Sequence, residues 1–313
     1  MAKKCLYCYE TLDNETDFHQ KCSQTFFGSK KQPLVPYTLD QMTELAKEVV
    51  ERSVAVPGVQ AKLSMSLVRE VQKSTNGRLT VVGALGGNYI FKPPNQEFEQ
   101  MPENEHLTMR IAESFGINTV PSSLIRLSSG EIAYITKRVD RTEDGQKLHM
   151  LDMFQITEAF DKYRSSMEKI GKAIHEYSEN TLLDKVFLFE LTLFSFLTGN
   201  NDMHLKNFSM INGSTGWVLA PAYDLLNVSI IIPEDSEELA LTVEGRKKNL
   251  TRANFESFGK GIGLTERQIE RVFDRMISNK TKALRLVNNS LLSAKNIQKY
   301  VSVLELRYQT LFG

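Results

Sequence analysis

The 313-residue sequence predicts an α+β chain of two lobes, a strand-rich N-lobe and a helical C-lobe, with a cleft between them. Length alone allows about two domains, at roughly 150 residues each. From Ser53 to about Thr136, short apolar or alternating runs sit between Gly, Pro and Asn, which is how strands and their turns read. From Asp152 onward, apolar residues recur at helical spacing instead. These shifts divide the chain into a Cys/His element at 1–30, the N-lobe at 31–140 and the C-lobe at 141–313.

The first element holds all three cysteines. Cys5, Cys8, His19 and Cys22 form a C-x2-C-x10-H-x2-C pattern. Three thiolates and one imidazole in two close pairs suit a closed, structural tetrahedral zinc site. Small buried hydrophobes beside a surface histidine are the plainer reading. Residues Ser29–Pro33 read as a linker, and Leu39, Met42, Leu45, Ala46, Val49 and Val50 predict a helix over Thr38–Arg52. Val54–Leu63 reads as strand, turn and strand, and Leu63–Leu67 and Tyr89–Phe91 as strands. Leu107, Ile111, Ala112 and Phe115 share one helical face, and Gly116 closes that helix. Further helices are expected near 181–198, 265–278 and 290–310.

Composition narrows the partners. Lys plus Arg and Asp plus Glu each number 38, so no net charge supplies a dominant grip on DNA, RNA or an anionic membrane. No apolar run of signal-peptide length follows the N-terminus. The longest apolar stretch, Val186–Thr198, is interrupted by Glu190 and is too short to cross a bilayer. The expectation is a soluble, cytoplasmic chain without a membrane partner.

Chemistry concentrates around Thr198–Asn207. An apolar helix ends at Gly199, and Asp202 and Asn207 follow at D-x4-N spacing, with Asp224 seventeen residues later. Phosphoryl transfer needs one carboxylate to orient and deprotonate a hydroxyl, plus an amide and a second carboxylate to hold Mg²⁺. Upstream, Lys92 ends a strand at Pro93-Pro94, and Glu105 follows thirteen residues later at the start of a helix. Such a pair can fix an ammonium for phosphate contact. Plainer roles stay open: Asp and Asn as turn formers, Lys92 as a solvated edge lysine, and Glu105 as an exposed first-turn residue. The segment Pro57, Gly58, Val59, Gln60, Ala61, Lys62 would by itself be an ordinary hairpin, since it matches neither common nucleotide loop.

Taken in order, VPGVQAKLSMSL, YIFKPP, PENEHLTMRIA, KRVDR, LTGNNDMHLKNFSMI and PAYDLL resemble the HipA-like serine/threonine kinases, bacterial toxins of toxin–antitoxin systems. The resemblance implies a two-lobed protein-kinase-like fold that uses ATP and Mg²⁺. It makes Asp202 the catalytic base, Asn207 and Asp224 the Mg²⁺ ligands and Lys92 the phosphate lysine, fixed by Glu105. It places Pro57 to Lys62 over the phosphates, and His204 and Lys206 in the catalytic loop. Tyr223 then flanks Asp224, and Lys137, Arg138 and Val139 border the adenine. Only 52 residues precede Ser53, which resembles the short HipT form, whose missing subdomain is a separate HipS-like protein. The family implies a HipB-like antitoxin that reaches DNA on the toxin's behalf, and an aminoacyl-tRNA synthetase as substrate. Where the family often carries a self-phosphorylated serine, this chain has Ala55, with Ser53 two residues earlier. A catalytically weak module acting with an antitoxin on operator DNA, and a small-molecule phosphotransferase, stay open beside the kinase.

Overall fold

Two structural units divide the chain, one made of residues 1–106, 120–145 and 289–292, the other of residues 107–119, 146–288 and 293–313. The computed structural model describes residues 3–13, 15–52, 63–68, 77–82, 87–95, 97–142 and 144–313.

In the first unit, α1 (Gln20–Phe27) and α2 (Leu39–Arg52) precede β1 (Leu63–Val68), β2 (Arg78–Val82) and β3 (Tyr89–Lys92). Helix α3 (Met101–Ser114) follows, its residues 101–106 in this unit and 107–114 in the other, then β4 (Ser122–Arg126) and β5 (Ile132–Lys137). The five strands form an antiparallel sheet in the order β2-β1-β3-β5-β4. Strand β3 stops where Pro93 cannot donate to the ladder, and its last residue, Lys92, faces Tyr134 of β5. Helix α3 buries Leu107, Ile111 and Ala112 and ends before Gly116, whose φ of 77° suits glycine. It starts at Met101, a turn earlier than the apolar face alone suggests. Glu105 is therefore a second-turn residue, buried rather than exposed.

After residues 107–119, the second unit continues with β6 (His149–Asp152) and the short α4 (Met153–Ile156), capped by Asp152. Helices α5 (Met167–Tyr177) and α6 (Thr181–Leu197) lead to the hairpin of β7 (Ser209–Gly213) and β8 (Gly216–Leu219). Helices α7 (Arg252–Gly261), α8 (Glu266–Ser278), α9 (Lys280–Asn289) and α10 (Ala294–Phe312) complete it. Every residue of α6 from Leu188 to Leu197 is buried, the mark of a helix packed on all sides. Its hydroxyls survive burial by donating back one turn: Thr192 to Leu188 O, Ser195 to Leu191 O and Thr198 to Phe194 O. Asp184 of α6 accepts from Leu219 N (2.7 Å) and so ties β8 to the helix. The sheet β6-β7-β8 is a departure from the mostly helical reading of this half. Strands of four or five residues are too short for their periodicity to register. No helix among the described residues is long and apolar enough to cross a membrane.

Candidate active site

The approach to the loop after α6 is set by Gly199. Its φ is 66°, and a Cβ there would lie 2.8 Å from Ser229 Oγ and 2.9 Å from both Asn227 Oδ1 and Val303 Cγ1. Left-handed backbone and lack of room both demand glycine. The loop then folds on itself. His204 N donates to Asp202 O (2.8 Å), and Asn207 Nδ2 donates to the same carbonyl (2.9 Å). Asn201 anchors the outside of the loop by donating to Asp235 Oδ2 (2.9 Å) and Glu237 O (3.0 Å). Asn207's amide donation leaves its carboxamide oxygen as the remaining ligand atom.

Two side chains from the segment before α5 complete the surroundings. The Tyr163 hydroxyl donates to Asp202 Oδ1 (2.8 Å). Burial and the neighbouring Asp202 charge both push the phenol's pKa up, so Tyr163 is a donor at every working pH. Lys162 Nζ donates to His204 Nε2 (3.0 Å), which leaves the proton of a neutral imidazole on Nδ1. Burial lowers the His204 pKa, with the Lys162 charge acting in the same direction and Asp202 opposing. Nδ1 is buried and has no hydrogen-bond partner among the described residues. Neither Lys162 nor Tyr163 belongs to the sequence-predicted set. Their only signal is an aromatic and charged run, Phe160 to Arg164, that matches no motif.

The hairpin β7-β8 returns the chain to this loop. Tyr223 Oη donates to Lys206 O (3.1 Å) and accepts from Ser209 Oγ, which lies 2.5 Å away. Burial keeps the Tyr223 phenol protonated for that work. The next residue, Asp224, has φ 60°, a backbone state uncommon outside glycine and concentrated at functional turns. Lys206 itself turns its ammonium over the Phe154 ring, 4.8 Å from the centroid.

In the other unit, Lys92 Nζ donates to both carboxylate oxygens of Glu105, at 2.7 and 2.8 Å. The two side chains are only 4% and 3% exposed, and the ammonium lies 5.4 Å from the Tyr134 ring centre. A lone ammonium could not be held there without its carboxylate. Lys137 lies over the Phe26 ring, and Arg138 is held bidentately by Asp140 at 2.8 Å, which Arg141 also contacts. Burial opposes ionisation of Asp140, but the two guanidiniums win and hold its carboxyl below the usual range. Val139 occupies the turn between them. The predicted phosphate loop, Pro57, Gly58, Val59, Gln60, Ala61 and Lys62, lies outside the described residues, as do Ser53 and Ala55. Cys5, Cys8, His19 and Cys22 are brought together, each offering a ligand atom within 4.8 Å of the others.

Comparison with known proteins places this architecture. Residues 54–284 match the HipA-like C-terminal domain, and the chain belongs to that family. A Haemophilus influenzae protein named "Putative kinase" is 29% identical over 296 residues, covering 85% of this chain and 83% of its own length. The serine/threonine-protein kinase toxin HipA of Shewanella oneidensis is 23% identical over 263 residues, covering 76% of this chain but only 56% of the toxin. Among solved structures, HipA from the Shewanella oneidensis complex with HipB and operator DNA superposes with a TM-score of 0.68 at 18% identity, over 88% of this chain and 71% of HipA. The mixed helix-and-sheet fold is thus that of the HipA kinases.

Proposed function

We propose that this chain is an ATP-dependent protein serine/threonine kinase acting as the toxin of a toxin–antitoxin system. The observation that carries the reading is the loop 200–207, where Asp202 is oriented by Tyr163 and has no bond to Oδ2 among the described residues. Oδ2 is then the atom that takes the proton of a serine or threonine hydroxyl, as general-base catalysis requires. The donor set fits the cofactors: Asn207 Oδ1 and Asp224 are hard oxygen ligands for Mg²⁺, and the His204 Nδ1–H, without a partner among the described residues, suits an anionic phosphate oxygen. Lys92, held by Glu105, offers a positive group for phosphate. When bound, Mg²⁺ and ATP supply the phosphoryl group and the neutralising charge. The names of the relatives support the kinase reading, and the HipB and operator DNA of the Shewanella complex support an antitoxin partner that makes the DNA contact. A separate HipS-like subunit as partner and an aminoacyl-tRNA synthetase as substrate are the readings we favour, on family resemblance.

The test is Asp202→Asn in the full chain. Phosphoproteomics after controlled expression should show one protein phosphorylated by the wild type, and the variant should transfer phosphate ~10²–10⁴-fold more slowly. A folded Asp202→Asn protein that phosphorylates as fast as the wild type would sink the proposal.

A further inference from the structure

The cluster near the N-terminus is unused by the chemistry above, yet it is built. A short hairpin, paired at Lys4 and Thr11, carries Cys5 and Cys8 in its turn. Within the turn, Tyr9 N donates to Cys5 O (3.0 Å) and Cys5 N to Glu10 O (2.9 Å). Tyr9 takes φ 66° to close it, an unfavourable state for a bulky residue. The second pair comes from the start of α1, where His19 is the N-cap and Cys22 sits in the first turn.

Geometry at the centre matches a tetrahedral ion. His19 Nε2 lies 3.1 Å from Thr11 O. A carbonyl only accepts, so Nε2 carries the proton and Nδ1 keeps its lone pair. That lone pair faces the thiols, with Cys8 Sγ at 3.4 Å and Cys22 Sγ at 3.9 Å. Metal–ligand lengths of about 2.3 Å for sulfur and about 2.0–2.1 Å for nitrogen give tetrahedral S···N edges of roughly 3.5–3.6 Å. An outer hydrogen bond on the far ring nitrogen is the usual device for fixing a metal-binding histidine. None of the three cysteines is joined in a disulfide.

What the centre holds is legible from its contacts. Tyr9 shares a 2.7 Å hydrogen bond with His106 Nδ1, both residues being buried, and its ring meets the imidazole edge-on at 5.3 Å. His106 follows Glu105 in α3. Leu124 N reaches Leu6 O (3.4 Å), and Arg126 pairs with Asp17 (3.2 Å). We infer that Cys5, Cys8, His19 and Cys22 bind one structural Zn²⁺, and that this centre, through Tyr9 and His106, positions the turn of α3 bearing the Glu105 partner of Lys92. Tyr9 is a positioning residue, acting through His106 and α3.

The experiment uses the full chain, purified reduced and without chelator. Elemental analysis should find about one zinc per chain, and titration with a mercurial should release it as three thiols are consumed. Cys22→Ser should lower zinc content at least ~5-fold; should that variant fail to fold, the mercurial titration of the unaltered chain decides. Zinc removal should speed backbone hydrogen exchange at residues 101–106 by ~10-fold or more, and Tyr9→Phe should do the same with zinc still bound. Less than about 0.2 zinc per chain with thiols reduced, or full zinc in a folded Cys22→Ser chain, overturns the site. Unchanged exchange at 101–106 after zinc loss overturns the coupling to α3. Neither readout depends on kinase activity.

Discussion

Removing either member of the Lys92–Glu105 pair is the perturbation with the sharpest expectation. With side chains 4% and 3% exposed and two bonds at 2.7 and 2.8 Å, the pair is shielded from water. Glu105→Ala leaves a buried ammonium, and Lys92→Met leaves a buried carboxylate. Each should cost about 3–5 kcal/mol, because a charge held in a low-dielectric site loses its ion-pair partner. Lys92→Met combined with Glu105→Leu removes both charges and refills the volume, so it should lie within about 1–2 kcal/mol of the wild type. The double variant is thus more stable than either single one, a non-additivity that only direct contact produces. Urea unfolding followed by far-UV circular dichroism at pH 7 measures all four proteins. Nucleotide affinity, measured in parallel, should stay low in the double variant despite its recovered stability, since the ammonium we propose for phosphate contact is gone. Single variants that each cost under ~1 kcal/mol, as exposed pairs do, would refute the buried-pair argument. A double variant weaker than both singles would refute it too.

Two further expectations follow from other positions. Burial pushes the Glu103 carboxyl, in the first turn of α3, from the usual 4.5 up to about 7. A raised carboxyl pKa means the fold binds the proton more tightly than the unfolded chain. Its stabilising effect is therefore full below about pH 4.5 and is lost as pH rises to about 7. Glu103→Gln should match the wild type near pH 4 and exceed it at pH 8 by about 1–3 kcal/mol, in thermal melts across that range; parallel pH profiles would show that water reaches the carboxyl. Gly199→Ala should cost about 2–5 kcal/mol, the sum of a left-handed backbone and overpacking. Gly116→Ala, with φ 77° and nothing within 4 Å of the new Cβ, isolates the backbone part at about 1–2 kcal/mol. Equal losses in the two variants would mean the loop relaxes around the added methyl.

Local chemistry was legible wherever the deciding contacts lie close in sequence. Asp202 and Asn207 are linked by an amide-to-carbonyl bond across five positions, and the Cys/His centre closes within eighteen residues of chain, from Cys5 to Cys22. Spacing alone carries such information, because short loops have few ways to close. The periodic helices α6 and α8 are similar cases, each made by contacts one turn apart. In contrast, β6 and β7 gain their identity from each other, across some sixty residues, and their own short sequences hold no strong period.

Burial and long-range pairing belonged to the tertiary structure. As sequence, Lys92 is an ordinary strand-end lysine and Glu105 an ordinary helix acid. Only the packing of the first turns of α3, residues 101–106, in the same unit as the sheet removes both from water and makes their attraction count. Likewise Tyr163 meets Asp202 across 39 positions and Lys162 meets His204 across 42. No motif encodes those pairs, since closing so long a loop is driven by the whole core rather than by the residues that meet. Residue types and local spacing therefore determined which candidate groups this chain brings close together. The fold decided which groups are dry, which are oriented, and which neighbours set their protons, because desolvation is a property of the assembled core and not of any stretch of chain.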